Sequence, residues 1–330
     1  MVYNLTGCES FGAQMDKTRA ASKSQTLKTA RGTFGLIDLM LLAMTLIWGI
    51  NFAVVKAALA EMTPLSFNSI RFLIASALTL LSLWLIEGDV GFAKGDGWRL
   101  LGLGLIGNTC YQLLFINGID RTTAGNSALL LATTPIFVSL IGAAFGVEGV
   151  GKLAWVGVFL SFTGIFMVIA GSGKELGLAQ ETIGGDILVL IGAAAWSLNT
   201  VLSRPMLSRY SALKLTALAM ATGTPFIVLF SIPQLLAQDW AAISWRGWLG
   251  SFFSGSMAIA LAYIIWNSGV SKVGSARTAV YSNLSPVIAA VFAWLTLGET
   301  ITAFMVVGAA MIFLGIYLTR KSGQRQGNRL

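Results

Sequence analysis

The sequence predicts an all-α membrane protein whose ten transmembrane helices form two inverted five-helix repeats. Three observations lead to this prediction: an apolar composition, ten apolar runs long enough to cross a bilayer, and an internal repeat that divides the runs into two sets of five. Because five is an odd number, the second set enters the membrane from the side opposite to the first. The two sets are then related by a pseudo-twofold axis in the membrane plane.

The composition excludes an ordinary soluble domain. Of the 330 residues, 55% are hydrophobic and only 11% are charged, and the mean hydropathy is +0.77. A water-soluble chain of this length carries far less apolar surface, so the expected surroundings are a lipid bilayer. The net charge of +8 comes from basic residues in short segments between apolar runs. Since they do not form a basic helix face, no nucleic-acid partner is expected.

The chain lacks the side chains that most metalloenzymes and hydrolases require. It has no histidine, which is the commonest metal ligand and general base, and only two cysteines, Cys8 and Cys110. These two do not suffice for a disulfide framework or a metal site. No glycine-rich phosphate-binding loop is present. The sequence therefore predicts no metal, no cofactor, no ATP-driven pump and no enzyme.

Ten apolar runs have the length needed to cross a hydrocarbon core of about 30 Å. The first five are Leu36–Leu59, Ser66–Ile86, Trp98–Gly118, Asn126–Gly146 and Leu153–Ala170. The second five are Gly184–Ser203, Ala212–Leu236, Trp248–Gly269, Ala276–Leu297 and Ile301–Thr319. They divide the chain into a disordered tail (1–35), a first repeat (36–170), an outer loop (171–183), a second repeat (184–319) and a short tail (320–330).

The distribution of basic residues predicts the orientation. With a cytoplasmic amino terminus, the inner segments hold seventeen lysines and arginines, and the outer loops hold three, Arg121, Lys174 and Arg246. Cytoplasmic segments are enriched in lysine and arginine, so both termini are predicted to be cytoplasmic.

The repeat appears when the sequence is compared with itself. A shift of 148 or 151 residues aligns residues that are rare in apolar runs. The 148-residue shift places Asp38 on Asp186, Trp48 on Trp196, Asn51 on Asn199 and Lys56 on Arg204; the 151-residue shift places Pro135 on Pro286, Glu148 on Glu299, Gly157 on Gly308 and Gly164 on Gly315. The glycines, seven apart on one helix face, are expected to permit close helix contact. Such matches indicate a duplication, and an inverted duplication favours a carrier with alternating access.

The repeated segments resemble those of a known family. They are Trp48-Gly-x-Asn51 with Trp196-Ser-x-Asn199, Arg71, Thr134-Pro135 through Glu148, and Ser285-Pro286 through Gly298-Glu299-Thr300. This pattern resembles the drug/metabolite transporter superfamily, and within it the EamA family, although Val147-Glu148 departs from the Gly-Glu pair of the second half. The resemblance covers about residues 36 to 319. It implies export of amino acids or similar small metabolites across a bacterial inner membrane.

Polar and aromatic residues inside the runs are the candidate substrate-binding groups. Helical spacing places Trp48 with Asn51 on one face and Trp196 with Asn199 on the equivalent face. Tyr111, Gln112, Tyr263 and Trp266 add hydrogen-bonding groups at membrane depth. Aromatic walls with a few polar groups are typical of a small-molecule pocket, and equally of helix packing. Both interpretations stay open for each residue.

Arg71 and two prolines complete the candidate set. Arg71 lies about one and a half turns inside a span, where it either binds a substrate carboxylate or extends to the outer rim, for example towards Glu61. Pro135 and Pro286 lie near the middle of equivalent spans and are candidate hinges, with a fixed kink as the alternative. Asp38 and Asp186 lie near span ends, where a structural role is expected and a role in proton coupling stays open.

The leading hypothesis is a secondary transporter that moves a small metabolite, such as an amino acid, outward by alternating access. The alternative within transport is an importer or exchanger of a sugar-phosphate or nucleotide-sugar type solute. A lipid-modifying membrane enzyme and a non-transporting scaffold are the other classes. The sequence leaves substrate identity, coupling ion, direction and oligomeric state open.

Overall fold

The computed structural model describes residues 35–122, 124–147, 150–171, 183–288, 291 and 302–327, and the regular secondary structure in this part of the chain is entirely helical. The predictions for the tails before residue 35 and after residue 327, for the loop at 172–182 and for Glu148 and Glu299 fall outside these residues. The all-helical prediction is confirmed for the part described.

Eleven helices are labelled α1 to α11 in chain order. Their bounds are α1 Leu36–Leu59, α2 Pro64–Glu87, α3 Gly97–Arg121, α4 Ala124–Leu131, α5 Thr134–Ala144, α6 Lys152–Gly171, α7 Ile183–Met206, α8 Ala212–Ala237, α9 Trp245–Val273, α10 Ser275–Tyr281 and α11 Ala303–Gly327. Seven helices in the described residues are long and apolar enough to cross a membrane: α1, α2, α3, α6, α7, α8 and α9. Shorter apolar helices accompany them, so the count of ten spans stays a prediction.

The outer surface of the helices is apolar. Large hydrophobic side chains are exposed along the long helices, among them Leu36, Trp84, Phe159 and Phe230. A soluble protein does not present apolar surface on this scale, whereas hydrocarbon solvates it at no cost. The chain is therefore a multi-pass integral membrane protein.

Helices α3 and α9 each contain a π-helical turn at the same relative position. The turns cover Gly104–Cys110 and Ser254–Leu261. Each contains a glycine in backbone contact with a neighbouring helix. A Cβ on Gly104 would lie 2.6 Å from the Ala219 carbonyl oxygen of α8, and one on Gly255 would lie 2.7 Å from the Arg71 carbonyl oxygen of α2. Only glycine allows these two crossings, which hold α3 and α9 beside the centre of the molecule.

The two predicted hinge prolines lie just after breaks in their helices. Helix α4 ends at Leu131 and α5 begins at Thr134, so Pro135 is in the first turn of α5, where its missing N–H costs nothing. In the second half, α10 ends at Tyr281 and a 3₁₀ turn follows. Residues 285–288, which include Pro286, are helical again. The structure thus differs from one kinked helix at 126–146, since the chain there forms two helices.

Helices α6 and α11 cross through the four glycines of the repeat. A Cβ on Gly157 would lie 2.5 Å from the Gly315 carbonyl oxygen, and one on Gly164 would lie 2.5 Å from the Gly308 carbonyl oxygen. Since the earlier glycine of α6 meets the later glycine of α11, the helices are antiparallel. The close contact expected from these glycines is confirmed.

Two hydrogen bonds join positions that the repeat relates. Ser76 of α2 and Thr224 of α8, 148 residues apart, share a hydrogen bond of 2.9 Å between their hydroxyl groups. Gln112 Nε2 of α3 donates to the hydroxyl of Tyr263 of α9, 151 residues later, at 2.8 Å. Equivalent positions of the two halves therefore meet inside the molecule, and Gln112 and Tyr263 do so at the cavity described next.

Candidate functional site

A central cavity lies between α1, α2, α3, α7 and α9 and the helix breaks at Pro135 and Pro286. Its empty space is about 900 Å3, part of which is open to the surroundings. Seven predicted substrate-binding residues line this cavity, together with Pro286. They are Trp48, Asn51, Arg71, Tyr111, Gln112, Trp196 and Tyr263.

Aromatic rings form one wall of the cavity. The ring of Trp196 lies 4.8 Å from that of Tyr263, 5.0 Å from that of Tyr111 and 5.3 Å from that of Trp266, between centroids. The ring of Trp48 lies 5.5 Å from that of Trp266. This cluster presents broad apolar faces suited to a planar or aliphatic ligand group.

Two of the three indole N–H groups of this aromatic cluster, those of Trp48 and Trp266, already have acceptors. Trp48 Nε1 donates to the Ala258 carbonyl at 2.9 Å, and Trp266 Nε1 donates to Thr200 Oγ1 at 3.2 Å. These bonds fix the orientation of both rings. Trp48 therefore offers its ring face rather than an N–H donor to a ligand.

Arg71 is buried at the edge of the cavity, with 2% of its surface exposed. Its Nε and Nη2 donate to Asn68 Oδ1 at 2.9 and 2.7 Å, and Nη2 also donates to Gln112 Oε1 at 2.6 Å. Nη1 reaches Ser254 Oγ at 3.5 Å. The side chain does not extend to the rim. Glu61 instead accepts hydrogen bonds from Ser244. Arg71 therefore does not pair with Glu61 in this structure.

Gln112 links the arginine to the second half of the chain. Its Oε1 accepts from Arg71 and its Nε2 donates to the Tyr263 hydroxyl oxygen at 2.8 Å. Both ends of the amide are used, so its orientation is fixed by its neighbours. The hydroxyl hydrogen of Tyr263 stays available to a ligand.

Two polar atoms of the lining lack a hydrogen-bond partner within the described residues. They are Asn51 Oδ1 and Ser285 Oγ, both with almost no exposed atomic surface. Ser285 as a whole is 5% exposed, and both residues line the cavity. Buried polar atoms usually have a partner, and one left without is an expected contact point for a ligand or water.

The structure places three predicted residues away from the cavity lining. Asn199 packs against Gly107, since a Cβ there would lie 2.3 Å from Asn199 Cγ. Trp266 lies behind Trp48 and Trp196 with 1% of its surface exposed, and Pro135 is buried in α5. Their assigned roles stay predictions.

Sequence reasoning missed two serines of this region. Ser285 lines the cavity and Ser254 contacts Arg71. The signal for Ser285 was its position beside Pro286, equivalent to Thr134 beside Pro135, and Thr134 also lines the cavity. Ser254 had no comparable signal, because its position depends on the π-helical turn.

Acidic residues of the spans lie away from the cavity. Asp38 is fully buried in the first turn of α1, accepts from the Gly35 N–H at 2.9 Å and is hydrogen-bonded by the Tyr281 hydroxyl. Asp186 accepts a hydrogen bond from Thr122. Among the described residues that line the cavity there is no carboxylate.

Comparison with known proteins bears on this arrangement. The model of the EamA-like transporter family matches residues 35–170 and 183–321. A protein named an uncharacterized transporter from Archaeoglobus fulgidus is 33% identical over 85% of this chain and 96% of its own length. A protein named a probable amino-acid metabolite efflux pump from Salmonella typhimurium is 26% identical over 84% of this chain and 92% of its own.

One solved crystal structure has a similar fold. It matches with a TM-score of 0.72 at 18% identity and covers 86% of this chain and 95% of its own. At this identity the match concerns the arrangement of the helices alone.

Proposed function

Because the chain belongs to the EamA-like transporter family, we propose that it is a secondary transporter that exports a small metabolite, such as an amino acid, by alternating access around the central cavity. The observation that carries this proposal is a cavity that combines aromatic walls with a buried guanidinium group and unsatisfied polar atoms. The name of the Salmonella relative gives the substrate class of that protein, which supports the same class here.

The proposed architecture is ten spans in two inverted five-helix repeats, with both termini cytoplasmic. The antiparallel glycine contact between α6 and α11 supports it, because each contact maps onto the other under the 151-residue shift. The bonds Ser76 to Thr224 and Gln112 to Tyr263 support it as well, since a twofold axis brings equivalent positions together. Reporter fusions that place the segments around Glu148 and Glu299 on the same side of the bilayer would exclude this arrangement.

The conformation described here is proposed to be open to the outside. The cavity lining continues to Val55 in α1 and Ile119 in α3, close to the ends of these helices at Leu59 and Arg121. Those ends are the outer ones in the predicted orientation. Towards the cytoplasmic side, the ring cluster of Trp48, Trp196 and Trp266 closes the space.

Transport by purified protein in liposomes tests the proposal. Labelled amino acids loaded into the vesicles should leave faster than from protein-free vesicles, and Arg71→Ala should abolish the difference. Arg246→Ala, at an exposed arginine in the first turn of α9, is the matched control and should transport normally. Absence of flux for every solute tested, with correctly inserted protein, would contradict the proposal. Release that ignores an imposed pH gradient would favour facilitated diffusion over proton antiport.

The alternative, an importer or exchanger of sugar-phosphate type solutes, has weaker support. A phosphate with two charges is usually held by several cations. Arg71 is the single cation among the described residues that line the cavity. The same liposomes loaded with sugar phosphates distinguish the two functions.

A further inference from the structure

We infer that the cavity selects organic monoanions: its substrates carry one carboxylate on an apolar or aromatic body, and an amino group adds little to their binding. This inference rests on the proposed transport function and narrows its substrate class. It is carried by the charge of the cavity, by the unused donors of Arg71 and by the absence of such a cation at the equivalent position of the second half.

No described neighbour of Arg71 neutralises its positive charge. Its described hydrogen-bond partners are an asparagine, a glutamine and a serine, all uncharged. Neutral oxygens orient a guanidinium group but leave its net charge, and a buried charge without a counter-ion is unfavourable. A ligand with a negative group supplies the missing counter-charge.

The donors of Arg71 leave room for such a ligand. The Nε and Nη2 hydrogens are directed to Asn68 and Gln112, at distances of 2.6 to 2.9 Å. Nη1 has two hydrogens and one long contact of 3.5 Å to Ser254 Oγ. Because Arg71 lines the cavity, Nη1 is the group that a carboxylate would approach.

The second half of the chain indicates that this arginine is not needed to build the helix crossing. The position 148 residues after Arg71 is Ala219. Gly104 packs against the Ala219 carbonyl oxygen just as Gly255 packs against that of Arg71. The same contact is therefore made with alanine. A charge that the fold does not require, placed at the wall of a cavity, is best explained by a ligand.

The rest of the cavity does not offer an equally strong site for an ammonium group. Its unsatisfied acceptors, Asn51 Oδ1 and Ser285 Oγ, are neutral, and no carboxylate belongs to the described lining. An ammonium group would lose its hydration and gain only neutral oxygens and cation–π contacts with the rings, which are weaker than an ion pair with a carboxylate. The rings of Trp48, Tyr111 and Trp196 suit the apolar body. The expected order of affinity is monoanion, then zwitterion, then cation.

Four ligands with one phenyl skeleton test this order on the purified full-length protein in detergent. They are 3-phenylpropionate, phenylalanine, 3-phenylpropionamide and phenethylamine, measured by titration calorimetry. We expect 3-phenylpropionate to bind at least about 10-fold more tightly than the amide and the amine, and within about 3-fold of phenylalanine. Arg71→Gln should remove the preference for the acid over the amide, and Arg246→Gln should retain it.

The outcomes separate this inference from the transport proposal. Equal binding of the acid and the amide, a preference for the amine, or a requirement for the amino group overturns the monoanion inference and leaves transport intact. A preference for the acid that persists in Arg71→Gln overturns the role of this arginine. Failure of all four to bind overturns the inference, and only the additional absence of any flux in the liposome experiment overturns the transport function.

Discussion

Two contacts between the halves of the chain occupy equivalent positions but have different chemistry. At the predicted cytoplasmic side, Asp96, just before α3, binds Arg209, in the loop after α7. At the predicted outer side, Ser244, just before α9, binds Glu61, in the loop after α1. Ser244 follows Asp96 by 148 residues, and Arg209 follows Glu61 by the same number. The repeat thus places the same two positions together at both sides of the molecule.

The inner contact is ionic and the outer contact has a single charge. Asp96, buried at 2% exposure, receives Arg209 Nη1 at 2.7 Å, Arg99 Nη1 at 3.2 Å and the Tyr210 hydroxyl at 2.8 Å. Glu61 receives the Ser244 N–H at 2.7 Å and its hydroxyl at 2.9 Å. A buried carboxylate with two cations and a phenol is held more firmly than a half-buried one with a serine. The stronger contact is on the side that we propose the tryptophan cluster to close.

The largest expected effect comes from reversing the charge of the inner contact. Arg209→Glu places a second carboxylate beside buried Asp96 and should lower the melting temperature by about 5 °C. The matched change at the outer position, Glu61→Arg, meets neutral Ser244 and should cost less than half as much. Thermal unfolding of both variants in detergent, followed by tryptophan fluorescence, measures the difference. Equal losses would contradict the contrast between the contacts.

The double variant Asp96→Ser with Arg209→Glu converts the inner contact to the outer chemistry. We expect it to recover more than half of the stability lost in Arg209→Glu, because the serine removes the like-charge repulsion and donates to the new carboxylate. A double-mutant cycle compares the melting temperatures of wild type, Asp96→Ser, Arg209→Glu and the double variant. A double variant no more stable than Arg209→Glu would mean that the two ends are not interchangeable.

Acid should weaken the inner contact through Asp96. The hydrogen bond from Tyr210, then the charges of Arg209 and Arg99, hold the pKa of this carboxyl below its ordinary value. A lowered pKa stabilises the folded state above the ordinary carboxyl value of about 4, and this contribution is lost as the pH falls through the lowered value. The melting temperature of wild type minus that of Asp96→Asn should therefore be constant from pH 8 to about 5 and shrink below about 4. A difference that already shrinks near pH 6 would contradict this.

The smallest effect is expected from Glu61→Gln. The amide oxygen can still accept from the Ser244 N–H and the amide NH2 can donate to the Ser244 hydroxyl oxygen, and no described cation forms an ion pair with Glu61. The melting temperature should change by about 1 °C or less. A loss as large as that of Arg209→Glu would show that the outer contact is as strong as the inner one.

The sequence predicted the long helices well because apolar runs are local signals. The bounds of α1 were predicted as observed, and α2 begins at Pro64 rather than Ser66 because proline suits the first helical turn. The π-helical turns and the break before Thr134 were not predicted. Both depend on contacts with other helices, such as Gly104 with α8, and local sequence does not encode those contacts.

The sequence predicted most residues of the candidate site, but it did not predict that equivalent residues of the two halves lie in different surroundings. Asn51 and Asn199 are equivalent in the repeat, yet Asn51 lines the cavity and Asn199 packs against Gly107. The sequence treats the two halves alike, whereas the helix contacts around these two asparagines differ. Other equivalent pairs, such as Trp48 with Trp196 and Thr134 with Ser285, have both members in the lining, so the residues that face the cavity depend on helix contacts that a sequence pattern does not encode.

The π-helical turns give α3 and α9 a tolerance in length that the other helices lack. A π turn accommodates about one residue more than an α turn over the same rise. One residue removed within Gly104–Cys110 can be absorbed by a return to α geometry, which leaves Leu103 and Tyr111 in their present directions. The same deletion beyond Tyr111 would rotate the rest of the helix by about 100°. Insertions and deletions among relatives should therefore concentrate in these two turns, and an alignment that ignores them would shift Gln112 and Tyr263 out of correspondence.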